Sequence, residues 1–260
     1  MINQALEAAI WGGVSGLALI IGAIVGYFVN LPHKVISSIM AFGAGVLISA
    51  LSFELMAKAT EQGGLLYSVS GFACGVLIYS LANYLVAHNG GLHRKRSQGI
   101  PKSASNNPEK NGVAQSAGIA IALGALIDGI PESAAIGVSM IEGGGVALVT
   151  VFAVFMSNIP EGLSSSAGMK KAGKSATFFF TLWIAITIVL AISAYLGLTL
   201  LGELGNEYIG FATALAAGAI LVMIIQTMIP EAFEDMHDIT GPIAAVGFLV
   251  AYSASEIFTR

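Results

Sequence analysis

From about residue 6 to residue 258 the chain runs as eight apolar stretches, each on the order of 20 residues or longer, divided by polar breaks. A segment of that length matches the hydrocarbon thickness of a bilayer, where the backbone has no water to bond and satisfies itself by coiling into a helix. The stretches fall at about 6–29, 35–57, 65–88, 113–139, 144–168, 175–201, 208–230 and 240–258. Composition excludes an ordinary soluble domain: 56% of the 260 residues are hydrophobic, only 10% are charged, and the mean hydropathy is +0.83. The expected fold is all-α, a polytopic membrane protein of eight transmembrane helices forming a single transmembrane domain over 1–260, with the lipid bilayer around it.

Basic residues give the orientation. Lys34, Arg94, Lys95, Arg96, Lys102, Lys110, Lys170, Lys171 and Lys174 fall in the first, third and fifth breaks, which share one side; only Lys58 and Arg260 fall on the other. Because Lys and Arg accumulate on the cytoplasmic side, those breaks face the cytoplasm and both termini face outward, N-out and C-out. Met1 to Ala5 carries no basic residue and leads into a long, Gly-rich apolar stretch, which reads as the first span and not as a cleaved leader. The polar stretch at about 89–112 reads as a flexible cytoplasmic loop between two halves, with His88 and His93 at its start read as solvated residues ahead of the alternative that they pick up a metal. The single cysteine, Cys74, lies mid-span, so neither a disulfide framework nor a cysteine metal site is expected. Glycines four apart, such as Gly22 and Gly26 or Gly71 and Gly75, suit close helix approach in lipid.

Carboxylates inside the spans point to chemistry. Glu54, Asp128, Glu132, Glu161 and Glu256 lie within them and Glu231 at the end of the seventh, with no Lys or Arg deep in any span to neutralise them. A charged side chain at the bilayer centre costs about 3 kcal/mol on insertion scales, so several together require a bound cation or a proton. Glu54 and Glu256 stand near span ends, within reach of water or headgroups.

The phrase Ile-Pro-Glu occurs at Ile130-Pro131-Glu132 and again at Ile159-Pro160-Glu161. Asp128 and Glu132 are four apart and project from one helix face; Ser157 and Glu161 repeat the relation one span later. Each proline lacks an N–H and crowds the carbonyl four residues earlier, Ile127 or Met156, which frees a backbone oxygen beside each polar pair. Broken helices with freed oxygens mark substrate sites in transporters. A second likeness joins Ala44-Gly45, followed later by Glu54, to Ala217-Gly218, followed at the same distance by Thr227. Together these suggest a 3+2+3 inverted repeat, with outer helices at about 6–88 and 175–258 and central helices at about 113–168.

Eight spans, a basic loop between the third and fourth, and paired polar-x-x-Pro-Glu phrases resemble the ZIP (Zrt/Irt-like) family of divalent metal transporters over essentially the whole chain. In that family the fourth span typically reads His-Asn-x-Pro-Glu-Gly and the fifth a related His-containing phrase, with metal bound between the two helices at mid-membrane. Here Asn158-Ile159-Pro160-Glu161-Gly162 keeps the phrase, with Ser157 in place of histidine. In span four Asp128, Gly129 and Ser133 replace histidine, asparagine and glycine, while Pro131 and Glu132 are kept. The resemblance implies Asp128, Glu132 and Glu161 as metal ligands, with Ser157 and Asn158 as neutral donors. His33, His88, His93 and His237 lie in loops or at span ends, so the pocket is all oxygen, a donor set suited to Mg, Mn and Fe(II) rather than to the ions imidazole favours. Some members add an acidic ligand in span six; residues 175–201 contain none, so one main site is expected.

The expected function is transport of divalent metal cations (Mn, Fe, Zn or similar) toward the cytoplasm, by rocking of the outer helices against the central pair, as the resemblance implies. A proton-linked or other-cation carrier on the same scaffold, and a degenerate non-transporting membrane protein, are the other readings. Glu203 and Glu207 read as a solvated loop or an entrance; Glu231, Glu234, Asp235, His237 and Asp238 read as a solvated acidic turn or an exit. No Ser-His, Cys-His or two-histidine arrangement lies within the spans and no nucleotide-binding motif occurs, so neither an enzyme nor an ATP-driven pump is expected. The metal is then a substrate, with no cofactor and no nucleic-acid partner. A homodimer is the one protein assembly considered, and a bacterial or archaeal plasma (inner) membrane the expected location.

Overall fold

The computed structural model describes residues 2–29, 31–86, 108–142, 145–171 and 175–258. Among these, every regular element is helical: α1 (Ile2–Phe28), α2 (His33–Ala50), α3 (Met56–Val86), α4 (Pro108–Ser139), α5 (Gly145–Lys171), α6 (Ala176–Leu201), α7 (Asn206–Met223), α8 (Ile229–Met236) and α9 (Thr240–Phe258). π-helical turns at Leu51–Leu55 and Ile224–Met228 join α2 to α3 and α7 to α8. The expected loop lies outside the described residues, as do His88 and His93, except that α4 already begins at Pro108 where the sequence runs the loop on to about 112.

Five helical stretches of described residues are long and apolar enough to cross a membrane: Asn3–Phe28, His33–Leu85, Leu148–Ser166, Ala176–Leu201 and Asn206–Ile257. Two of them, 53 and 52 residues long, are not single rods. Gly64 takes φ 68 and ψ 175, a conformation that a Cβ would strain, and breaks the first; His237, at φ 36, breaks the second. Leu65, Leu66, Leu77, Ile188, Leu200 and Ile257 are exposed, a density of apolar surface that suits lipid and not water.

Glycine divides the helices into two closely packed groups. In the first, α1, α4, α5 and α6 meet backbone to backbone: a Cβ on Gly22 of α1 would stand 2.1 Å from Ile159 O of α5, and one on Gly137 of α4 2.0 Å from Ala194 O of α6. In the second, α2, α3, α7 and α9 do the same, with Gly45 of α2 facing Ala244 O of α9 at 1.8 Å and Gly75 of α3 facing Leu215 O of α7 at 2.0 Å. Between the groups the fit is looser; a Cβ on Gly43 of α2 would stand 3.3 Å from Met156 O of α5. The pairings mirror one another, α1 on α5 matching α6 on α4 and α2 on α9 matching α7 on α3. The two π turns begin at the same offset from Ala44-Gly45 and from Ala217-Gly218.

Candidate cation site

Pro131 and Pro160 both lie inside helices that continue through them. Around them the polar residues face inward. Asp128 and Glu132 on α4 are each 1% exposed and Glu161 on α5 is 7%, with Ser157 and Asn158 buried beside them. Ser157 Oγ lies 3.4 Å from Glu132 Oε1 and 2.9 Å from Val154 O, so its one proton is shared between them. Ile136 packs against Val151 and Val154, which makes α4 and α5 antiparallel neighbours. With Glu132 level with Ser157, the next turn brings Asp128 level with Glu161, about 6 Å further along.

Several of the buried and half-buried carboxylates take a hydroxyl from a neighbouring helix. Tyr79 of α3, 2% exposed, donates to Asp128 Oδ1. One turn past Glu161, Ser164 donates to Oε1 of Glu231, which is buried at the start of α8. Beyond it, Ser37 of α2 donates to Asp235 Oδ2 at 3.3 Å. Asn158 turns the opposite way, its Nδ2 donating to Ser15 O of α1 at 2.9 Å. The structure thus joins Ser157 to Glu132 and keeps Asp128 on Tyr79. Among the described residues no three of His, Cys, Asp and Glu come close enough to hold a metal ion between them. The acidic turn also divides: Glu231 is buried, whereas Glu234, His237 and Asp238 are exposed, as are Glu203 and Glu207.

The opposite end of the site is apolar. One turn beyond Glu132 on α4 and one turn before Ser157 on α5, Ala135 and Val154 meet Leu47, Leu51 and Ile220 around a void of about 10 Å³. So small a space, lined by apolar side chains with Thr150 alone carrying a hydroxyl, holds at most one water. The carboxylates therefore continue on one side, toward Glu161 and Glu231, with Ser164 between them.

One charged residue overturns the sequence reading, and a second falls on one side of a reading left open. Lys58, expected in a loop, is 8% exposed within α3, and its Nζ donates to Ser139 O at the end of α4 at 2.9 Å. The helix continues past the end of the apolar stretch, and the carbonyls at the C-terminal end of α4 attract a cation. The interior is thus not free of basic side chains. Glu54, open from the sequence to an interfacial or an interior place, is buried in its π turn and accepts a hydrogen bond from Ser255 of α9, while Glu256 is exposed. Tyr79 and Ser164 were not singled out from the sequence. The available signal was chemical: a hydroxyl inside an apolar helix needs a partner.

Apolar helices of membrane-spanning length enclosing a file of buried carboxylates define an integral, all-helical membrane protein with an acidic interior. No family model matches the chain. It is similar to "Zinc transporter ZupT" of Clostridium perfringens (strain 13 / Type A), 27% identical over 253 residues that cover 89% of this chain and 88% of that protein. It is also similar to a "Putative zinc transporter" of Arabidopsis thaliana, 25% identical over 222 residues, 83% of this chain; the chain spans 33% of that protein's length. Both relatives are named as zinc transporters.

Proposed function

We propose that the protein carries divalent metal cations across a membrane toward the cytoplasm, through the carboxylates between α4 and α5. The observation that carries this reading is the burial of Asp128, Glu132 and Glu161 on two adjacent antiparallel helices, in a chain whose relatives are named as zinc transporters. Anions placed there in lipid need a positive partner, and a passing cation supplies it. Ser157 and the amide oxygen of Asn158 add neutral donors. The all-oxygen set lacks the imidazole that selects Zn and so suits Mn and, less decisively, Fe(II) as well. The metal is substrate, and no enzymatic step is involved.

Adding α4 to the five apolar stretches, and breaking the two long ones at Gly64 and His237, gives eight spans. We read them as a 3+2+3 inverted repeat with both termini outside, in a bacterial or archaeal plasma (inner) membrane; the mirrored pairings and matched π turns support the repeat. In that orientation the apolar seal faces outward and the polar file leads to the cytoplasm. The moving unit is α1, α4, α5 and α6 together, because α1 and α6 are locked to the central pair by backbone contact. A cation draws together carboxylates of which two, Asp128 and Glu132, are held on separate hydroxyls in the arrangement seen here.

That same separation favours a second reading, a proton-linked or other-cation carrier, since acids held one by one suit protons. Heating the purified chain with Mn, Fe(II), Zn or Mg separates the two. Metal at a hundredfold excess over its Kd adds about 2.7 kcal/mol of stability, and Glu132→Ala and Glu161→Ala abolish the gain. A melting temperature that no metal raises, with uptake driven by a pH gradient instead, selects the proton carrier.

A further inference from the structure

We infer that Tyr79 is a latch on Asp128: its phenol holds the carboxylate until a divalent cation takes that oxygen, and the exchange frees the two helix groups to move. The inference rests on reading Asp128 as a cation ligand. Tyr79 is a positioning residue, acting on the ion through Asp128.

Both ends of the bond are firmly rooted, but in different groups. The ring of Tyr79 lies in the main apolar core, built largely by α2, α7 and the π turns with Ala135 of α4 and Ala153 of α5 at its edge, and Tyr79 follows by one turn Gly75, which faces Leu215 O of α7 too closely to admit a Cβ. Asp128 is followed by Gly129, where a Cβ would stand 2.7 Å from Leu190 of α6. The Tyr79–Asp128 bond therefore crosses the seam between two units that are each tightly packed. Sliding of one unit past the other stretches this bond while the backbone contacts within each unit stay in place. Ser157 to Glu132 stays within one unit, and Ser164 to Glu231 crosses the seam but holds an acid outside the ligand set.

The chemistry of exchange is direct. A phenol donates one polarised O–H to a carboxylate oxygen, a charge-assisted bond of the stronger kind. A dication seeks the same lone pairs with far greater charge, so the two compete for Oδ1. While the phenol holds, Asp128 is kept on the α3 side, which accords with the failure of Asp128, Glu132 and Glu161 to gather at one point. Once a cation binds, the phenol is released and the tie across the seam is lost.

The test uses the full chain, purified as wild type, Tyr79→Phe and Asp128→Ala, with Mn(II) as the probe. Tyr79→Phe removes the competitor and leaves the ligands, so Mn(II) binds about tenfold more tightly, the size of one hydrogen bond to a charged group, and the KM for uptake into vesicles falls in step. Asp128→Ala loses most Mn(II) binding. In wild type, saturating Mn(II) shifts the tyrosine Raman doublet as the phenol loses its acceptor, and Tyr79→Phe lacks that shift. Unchanged or weaker Mn(II) binding by Tyr79→Phe, beside a clear loss in Asp128→Ala, overturns the latch alone. An unchanged wild-type tyrosine spectrum at saturating Mn(II) does so without any variant. No Mn(II) binding by wild type, or equal binding by wild type and Asp128→Ala, removes the ligand reading itself and the latch with it.

Discussion

Substituting Gly22 by alanine tests whether α1 belongs to the unit that holds the site. Gly22 faces α5 immediately before Pro160-Glu161, and a Cβ there would stand 2.1 Å from Ile159 O and 3.0 Å from Leu163 N. Both neighbours are backbone, so no flexible side-chain end is available to give way. A Cβ needs at least about 3 Å from an oxygen, so α1 and α5 must part by roughly 1 Å. The Asn158–Ser15 hydrogen bond, 2.9 Å long, spans the same interface and would stretch out of range. Overpacking of this kind costs about 1–3 kcal/mol, and the lost bond adds about 1 kcal/mol. For a chain of this size that lowers the melting temperature by about 4–16 °C. Uptake should fall as well, because Glu161 moves with α5.

The assay is thermal unfolding of detergent-purified protein together with metal uptake into vesicles. Gly241→Ala is the internal control, since a Cβ there meets nothing within 4 Å. Gly43→Ala, facing Met156 O at 3.3 Å, should fall between the two. If Gly22→Ala melts within a degree of Gly241→Ala and transports equally well, the backbone lock between α1 and α5 is not what holds the first group together, and the division into two units fails.

Asn158→Ala removes the tie to Ser15 and should lower stability by about 1 kcal/mol; an unchanged melting temperature with sharply weakened metal binding would show instead that the side chain serves the ion first. Lys58→Met keeps the aliphatic stem but removes the ammonium from Ser139 O, so thermal stability should drop by roughly 1–2 kcal/mol while metal affinity holds; lost affinity would place Lys58 in the site's own electrostatics. Glu203→Gln and Glu256→Gln alter exposed carboxylates and should leave uptake within about twofold at physiological salt. A larger loss would reroute the path through one of them.

Much of the fold was legible because it is local. Apolar length marks where a helix suits lipid, and the four-residue spacing of Asp128 with Glu132 and of Ser157 with Glu161 places each pair on one face without tertiary knowledge. Hydropathy, however, measures compatibility with lipid and not where a helix ends. The helical path goes on past residue 57 to Lys58 and Glu61, and past 230 to Met236, and in doing so buries Lys58 and Glu231. Tyr79 was illegible for another reason: its partner lies on a helix far along the chain, and only packing reveals which polar group meets it. The likeness of Ala44-Gly45 to Ala217-Gly218 was weak as letters. Its physical content is that both glycines admit a neighbouring backbone, Ala244 O and Phe72 O respectively, just ahead of matched π turns. The grouping of α1 and α6 with the central pair was also hidden, since nothing in a glycine says which helix will approach it.

The two kinds of bond in this protein differ in what can break them. A glycine backbone contact buries no group that an ion could contest, so it holds whatever passes through the interior. A hydroxyl on a carboxylate is different, because a cation competes for the same oxygen and water can replace the donor. The tight glycine contacts described above lie inside one group or the other, whereas Tyr79 on Asp128 and Ser164 on Glu231 bridge between groups. Exchangeable bonds occur within the groups too, as Ser157 on Glu132 and Ser255 on Glu54 show, but Tyr79 on Asp128 and Ser164 on Glu231 lie across the surface where relative movement would occur, and the tight glycine contacts do not. Loss of the α1–α5 lock should then damage stability and transport together, whereas loss of the Tyr79 bond should change ion affinity with little effect on the packing of either unit. A variant set in which both substitutions produce the same loss of stability would mean that the seam is packed as firmly as the units, and the ion would have no separate bodies to move.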